Sequence, residues 1–410
     1  MLRLSIIIIG DEILLGQVTD TNSGAIARAF GAAGWTAGRV TTVGDDGDAI
    51  SQAVAQSLTD SDLVITTGGL GPTKDDITKT VLMQTFGGHL VHNQAVTENI
   101  HEVFNRRGIK MNQLTELQAM VPSSCRVIQN RLGTAPIMWF ERDGHILVSM
   151  PGVPFETEGM LPEVIAQVQR HFKPDEELMH HTLIAAHISE SALAESLDAY
   201  EKQLPEGMHL AYLPVPGYIR LRLDGRGHGI ADEFNAQVDR LKQALGTLLI
   251  YDGDATPDRI LLEKLGERGL TAATAESCTG GNIAHRITSI PGSSSSYLGG
   301  VVSYANEVKA GLLGVNPDDI AAHGAVSREV VEQMALGACR ATGADCAVAT
   351  SGIAGPGGAV EGKPVGTVWM AWALRGNVTS KLFHLPGNRD RVIDRATTEA
   401  LLGLIDIISQ

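Results

Sequence analysis

The sequence predicts a multi-domain α/β protein, and three observations carry that expectation. The chain has 410 residues, enough for two to four domains at about 100–200 residues each. Short apolar runs alternate with helix-period segments through most of its length, the pattern of parallel strands joined by helical crossovers. Glycine is abundant, with 46 residues, and several cluster directly after apolar runs, where open α/β sheets bind ligands.

Taken in order, residues 4–9, 37–43 and 63–67 read as strands, and the segments after Asp20, Asp46 and Asp76 read as helices entered near capping-type residues. Runs 135–140 and 146–149 extend the sheet before a turn at Pro151-Gly152 and a helix from Pro154. After the charged stretch 173–177 comes a strand (181–187), a helix (190–203), a strand (209–213), a turn at 214–217, a strand (218–223), a helix (231–245) and a strand (247–251). That βαββαβ order is a small ferredoxin-like sandwich; it holds no catalytic cluster and reads as a spacer or oligomerisation module. The polar, turn-rich stretch 252–257 is a joint. Beyond it a helix (258–268), a strand (270–275), a helix (279–289) and two later long helices around a strand pair form a third α/β unit. The expected domains are therefore 1–172, 173–252 and 258–410.

Composition removes several function classes. The 32 Lys+Arg against 47 Asp+Glu give a net charge of −15, which repels nucleic-acid backbones and anionic membranes; no long Lys/Arg block offsets it. The expected partners are small molecules rather than a nucleic-acid polymer or a membrane. Cys125, Cys278, Cys339 and Cys346 follow no CxxC or Cys/His metal spacing and read as reduced, mostly buried thiols. The apolar run 6–9 is too short to span a bilayer and leads into Gly10-Asp11-Glu12 without a secretory cleavage site, so a cytoplasmic protein is expected.

Three C-terminal segments carry chemistry. In TAESCTGG (274–281) a strand turns into a helix, and a serine there has a hydroxyl beside helix N-terminal amides, a setting for a developing oxyanion. A polar helix cap is the plainer reading of this segment alone, and Cys278 is a rival nucleophile. SYANEVK (303–309) brings Tyr304 and Lys309 to another strand terminus; an amine near a serine acts as its base when burial lowers its pKa. TSGIAGPGG (350–358) follows the strand 345–349, and its small residues let backbone amides approach a phosphate or carboxylate. Residues 357–363 match GxxxxGK, but Pro364 stands where a P-loop needs Ser or Thr, and strand rather than helix follows.

Together TAESCTGG, SYANEVK, SGIAGPGG and the later LPGNRD resemble the C-terminal domain of the CinA family, the nicotinamide mononucleotide deamidase (PncC) module. The resemblance implies hydrolysis of the nicotinamide carboxamide to nicotinate mononucleotide and ammonia, without a cofactor. It implies Ser277 as nucleophile, Lys309 as its base and Tyr304 as a partner that orients or shares the proton. Thr279, Gly280, Asn306, Ser351, Gly352, Gly355 and Gly357 would surround the substrate, with Arg389 on its phosphate. This chain has Ser351 where the family often has Thr, and Asn388 where it often has Asp. The second change removes a charge beside Arg389 and leaves Arg391 and Arg395 as alternatives.

Near the N-terminus, GDEILLG (10–16) follows the first strand and TGGLGPTKDD (67–76) the third. Glycines there admit phosphates to the backbone, and the acids suit a hard cation such as Mg2+ against a pyrophosphate. With Asp20-Thr21-Asn22, VGDD (43–46), GTAP (133–136) and PGVPFE (151–156), these segments resemble the molybdopterin-binding fold of MogA and MoaB proteins and, more closely, the N-terminal domain of CinA proteins. The resemblance implies a doubly wound nucleotide- or pterin-binding domain, and for some CinA proteins a metal-dependent ADP-ribose pyrophosphatase. Asp11, Glu12, Gly69, Gly71, Thr73 and Asp75 are the candidate nucleotide-site residues, with Asp76 the candidate metal ligand.

The expectation is thus a homo-oligomeric, three-part protein that deamidates nicotinamide mononucleotide. Two alternatives stand beside it: only the N-terminal pyrophosphatase is active, or the chain is a competence-associated, nucleotide-binding adaptor without catalysis. Its acidity does not oppose a nucleotide ligand, because glycine loops present amides that bind phosphate without formal charge.

Overall fold

The computed structural model describes residues 3–73, 75–108, 113–172 and 177–409. Lys74 of the second glycine loop and residues 173–176 of the charged stretch lie outside the described residues. The chain divides into two units, residues 1–180 with 225–232, and residues 181–224 with 233–410.

In the first unit, β1 (Arg3–Ile9) leads through the single-turn α1 (Asp11–Leu14) and α2 (Asn22–Ala32) to β2 (Thr36–Val43), α3 (Gly47–Asp60), β3 (Leu63–Thr67) and α4 (Thr78–Phe86). There follow β4 (Leu90–His92), α5 (Gln94–Arg107), α6 (Gln113–Glu116), β5 (Met120–Pro122), β6 (Arg126–Ile128), β7 (Ile137–Arg142), β8 (His145–Met150) and α7 (Pro154–His171). The main sheet has the order β2-β1-β3-β8-β7-β6, and its first four strands are parallel. Helices cover both faces: Phe30 and Val164 pack on one side, Ile50, Val54 and Leu82 on the other. That double burial is why β1 and β3 read as predominantly apolar runs rather than alternating ones. The run 135–140 enters as β7, antiparallel to β8, because only Asp143-Gly144 separates them. Both turn residues have positive φ (51° and 82°), as a two-residue hairpin demands.

The βαββαβ segment, most of it in the second unit, forms β9 (Glu177–Ala186), α8 (Glu190–Glu201), β10 (Met208–Val215), β11 (Tyr218–Gly227), α9 (Ala231–Leu245) and β12 (Leu249–Asp252). Its sheet order, β10-β11-β9-β12, is the ferredoxin-like one. After it come α10 (Pro257–Arg268), β13 (Ala272–Glu276), α11 (Asn282–Thr288), β14 (Tyr297–Val302), α12 (Asn306–Leu313), α13 (Pro317–His323), α14 (Arg328–Thr342), β15 (Cys346–Gly352), β16 (Thr367–Leu374), β17 (Asn377–His384) and α15 (Arg389–Ser409). They build a sheet of order β14-β13-β15-β16-β17, parallel across its first three strands. Ile184, Ala186 and Tyr218 of the small sandwich share a buried cluster with Leu261, Met370 and Leu401. The sandwich therefore rests on the core of the C-terminal part. Among the described residues no helix is long and apolar enough to cross a membrane.

Candidate active site and nucleotide pocket

In the second unit β13 lies between β14 and β15 and parallel to both, so the segments leaving their carboxyl ends converge. Two main-chain bonds join them: Ser277 N donates to Thr350 O at 3.0 Å and Ser303 N to Glu276 O at 2.8 Å. Helix α12 carries Lys309 into this junction, where it is only 1% exposed. Its Nζ lies 3.2 Å from Ser277 Oγ, 2.8 Å from Ser303 O and 3.2 Å from Tyr304 O. Burial pushes the Lys309 pKa below the ordinary lysine value, since taking an ammonium out of water favours the neutral amine. The neutral amine has a lone pair for the Ser277 hydroxyl proton. Cys278 is buried against the same turn, and burial pushes its thiol up to about 12. It carries essentially no thiolate at neutral pH and lacks a nucleophile's ionisation.

Sequence reasoning gave no role to Glu276, yet its carboxylate organises this turn. It is fully buried and accepts from the amides of Gly281 (3.0 Å), Ile283 (3.0 Å) and Ala284 (2.8 Å). The amides that open α11 are thus already paired with an internal anion, which corrects the expectation that they stand free for an oxyanion. The Cys278 and Thr279 amides remain, with no oxygen acceptor among the described residues. An acidic residue a few positions ahead of a helix start was the signal available in the sequence.

The other candidates separate into groups. Arg389 donates to Gly355 O (2.8 Å) and to the Tyr304 hydroxyl (3.1 Å), tying SYANEVK, the glycine loop and LPGNRD together. Tyr304 therefore meets Lys309 through its carbonyl, while its phenol, on a residue 62% exposed, turns to Arg389. The phenol's hydrogen bond is thus to Arg389, and the contact of Tyr304 with Lys309 is made by the main chain. Thr279 Oγ1 pairs with Thr350 Oγ1 at 2.8 Å, and Ser351 Oγ donates to Ala325 O at 2.7 Å. Gly352 allows close strand packing, since a Cβ there would lie 2.8 Å from Thr367 O. Gly357 stands in open space, and Asn306 is exposed at the start of α12. Arg391 borders a cavity of about 550 Å³ with Thr279, Gly280, Asn282 and His285, whereas Arg395 faces a different cavity. Lys363, the lysine of the apparent P-loop, donates to His323 O and Val326 O, both at 2.8 Å.

In the first unit the glycine segments leave β1 and β3, which are neighbours, and meet at a cavity of about 500 Å³. Glu12, Asp45, Gly69, Gly71, Asp75 and Asp76 line it; Asp11 and Thr73 do not. Gly68, at φ 112°, is required there, because a Cβ would lie 2.0 Å from Ile9 O. Asp11 and Asp45 clasp reciprocally, each carboxylate accepting from the other's amide at 3.2 and 3.0 Å. Burial, and then the Asp11, Glu12 and Asp75 carboxylates, hold the Asp45 pKa above the usual aspartate value despite that bond. Asp76 accepts from the amides of Gly71 (2.7 Å) and Thr73 (2.9 Å) and from the Thr73 hydroxyl. It shapes the glycine loop and does not cap α4, whose N-cap position is Ile77 without a side-chain bond. Among the described residues no three His, Cys, Asp or Glu side chains form a ready metal cage.

Residues 255–408 match the family model described as the CinA C-terminal domain, and residues 5–171 that of a probable molybdopterin binding domain. A CinA-like protein of Cytophaga hutchinsonii is 42% identical over 98% of this chain and 96% of its own length. A putative competence-damage inducible protein of Caldicellulosiruptor saccharolyticus is 37% identical over 97% of each. Among solved structures, the competence/damage inducible protein CihA from Agrobacterium tumefaciens is 40% identical, covering 38% of this chain and 94% of that one, with a TM-score of 0.37.

Proposed function

Because this chain belongs to the CinA family, with a MoaB-like N-terminal domain and a CinA C-terminal domain, we propose that its Ser277 site is an amidohydrolase converting nicotinamide mononucleotide to nicotinate mononucleotide and ammonia. The observation that carries this reading is a buried lysine with lowered pKa at 3.2 Å from a serine hydroxyl. Binding alone has no use for such a pair. Neutral Lys309 takes the Ser277 proton as Oγ attacks the carboxamide carbon, and the negative charge forms on the carboxamide oxygen beside the Cys278 and Thr279 amides. The C–N bond then breaks, Lys309 returns its proton to the leaving nitrogen as ammonia, and the product is held as an ester on Ser277. Water, deprotonated by the same amine, cleaves the ester to the carboxylate and restores the serine. No step calls for a metal.

Ammonia release from nicotinamide mononucleotide tests it. Ser277→Ala is expected to lose at least about 10³-fold in kcat, and Cys278→Ala to stay within a few-fold of wild type. Undiminished turnover in Ser277→Ala would overturn the serine mechanism.

The 500 Å³ cavity of the first unit supports a second reading, a site that takes a nucleotide diphosphate such as ADP-ribose and cleaves its pyrophosphate. Glu12, Asp45 and Asp75 suit a magnesium ion that keeps much of its water and arrives with the diphosphate, rather than a caged ion. The ion would neutralise phosphate charge at the reacting centre. AMP should form from ADP-ribose only with a divalent metal; no AMP with any metal contradicts catalysis there.

A further inference from the structure

The second unit has another cavity, of about 500 Å³, where the small sandwich meets β17 and α15. Its wall combines Tyr218 and Phe383, both aromatic, with the cations Lys381 and Arg395. None of these is used in the amide chemistry. Lys381 Nζ sits 5.0 Å from the Phe383 ring centre and has no carboxylate in salt-bridge range among the described residues. Arg395 Nε lies 3.9 Å from a Glu399 carboxylate oxygen, within ion-pair range but beyond hydrogen-bond reach, and among the described residues this buried atom has no hydrogen-bond acceptor. A buried donor without a hydrogen-bond acceptor calls for an explanation, and a ligand is one.

The wall also carries the carboxylates Glu190 and Glu399 and the imidazole of His187, and two of these three groups shift toward positive charge. His187, also on the wall, bonds Asp406 through Nε2 at 3.2 Å, which raises its pKa and favours the imidazolium. Burial raises the Glu399 pKa and favours its neutral acid. The cavity is thus more cationic than a count of its side chains suggests. Its size falls within the range of about 300–1,000 Å³ usual for small-molecule sites.

We propose that this cavity is a separate binding site for a small aromatic anion, its carboxylate or phosphate held by Lys381 and Arg395 and its ring set against Phe383 and Tyr218. The site is independent of the amidohydrolase reading and stands or falls without it.

Isothermal titration of the full chain with benzoate, phenyl phosphate and neutral benzyl alcohol tests it, alongside Lys381→Met, Arg395→Met and, as a control outside the cavity, Arg268→Met. Thermal unfolding checks that each variant is folded. At least one of the two anions is expected to saturate a site that either cavity substitution weakens tenfold or more and the control leaves intact. Which anion binds more tightly tells carboxylate from phosphate. Three results would overturn the proposal: neither anion binds wild type saturably, binding is unchanged in both folded cavity variants, or benzyl alcohol binds as well as the anions.

Discussion

The Ser277 turn and the 67–76 loop use similar parts, glycines at strand ends with carboxylates close by, and differ in where those carboxylates go. Beside Ser277, Glu276 turns inward and is consumed by three amides, which leaves Ser277 Oγ facing the Lys309 amine. In the first unit Glu12, Asp45 and Asp75 face the cavity, and their mutual repulsion helps to raise the Asp45 pKa. One site pairs its acid internally and buries a lysine whose pKa burial lowers; the other gathers acids that a cation would relieve. The difference teaches that two glycine loops can serve opposite chemistry according to which charged groups are buried and satisfied.

The largest expected effect breaks the base. Lys309→Met should lower ammonia release by roughly 10²–10⁴-fold, while leaving the N-terminal cavity untouched. In the wild type, kcat/KM should rise with pH as Lys309 loses its proton, at a pH below the ordinary lysine value. A pH-independent rate would remove the lysine from the chemistry.

Next comes the inward acid. Glu276→Gln presents an NH2 to a group of amide donors, so at least one buried amide loses its acceptor. The expected cost is about 1–3 kcal/mol, read as a lower urea midpoint for the second unit, together with a fall in kcat. An unchanged midpoint would mean that α11 does not depend on this carboxylate.

The smallest effect sharpens the other side. A carboxyl whose folded pKa is raised loses stability on ionising, so the Asp45 contribution falls as pH climbs from the ordinary aspartate range through the raised value. Because Asp45 is partly open to water, Asp45→Asn should raise the unfolding midpoint at neutral pH by only about 1–2 °C. The stabilisation that Mg2+ gives the wild type should shrink in the same variant. An equal Mg2+ response in both would exclude Asp45 from cation binding.

Much of this contrast was legible in the sequence, for reasons that individual residues make clear. The central strands announced themselves because burial on both faces demands mostly apolar runs such as 4–9. Ser277 and Lys309 stood out because the chain changes from strand to helix at both, and the parallel pairing of β13 with β14 then brings them together. The direction of β7 was missed, although Asp143-Gly144 is a strong hairpin signal once its two positive φ angles are considered. The destination of the Tyr304 phenol was not legible, since it depends on Arg389, 85 residues away. Nor was the role of Asp76, because a carboxylate before a helix usually caps it, whereas this one folds back on Gly71 and Thr73. The His187 and Arg395 cavity left no motif at all, as these two wall residues lie just over 200 positions apart in the chain.

The central claim is that Ser277 becomes covalently acylated. Rapid acid quenching of the full chain with nicotinamide mononucleotide, followed by peptide mass mapping, tests it most directly. The account predicts a nicotinate-mononucleotide ester on Ser277, formed as ammonia leaves and absent from Ser277→Ala. An adduct on Cys278 instead, or full ammonia release by Ser277→Ala, would contradict it.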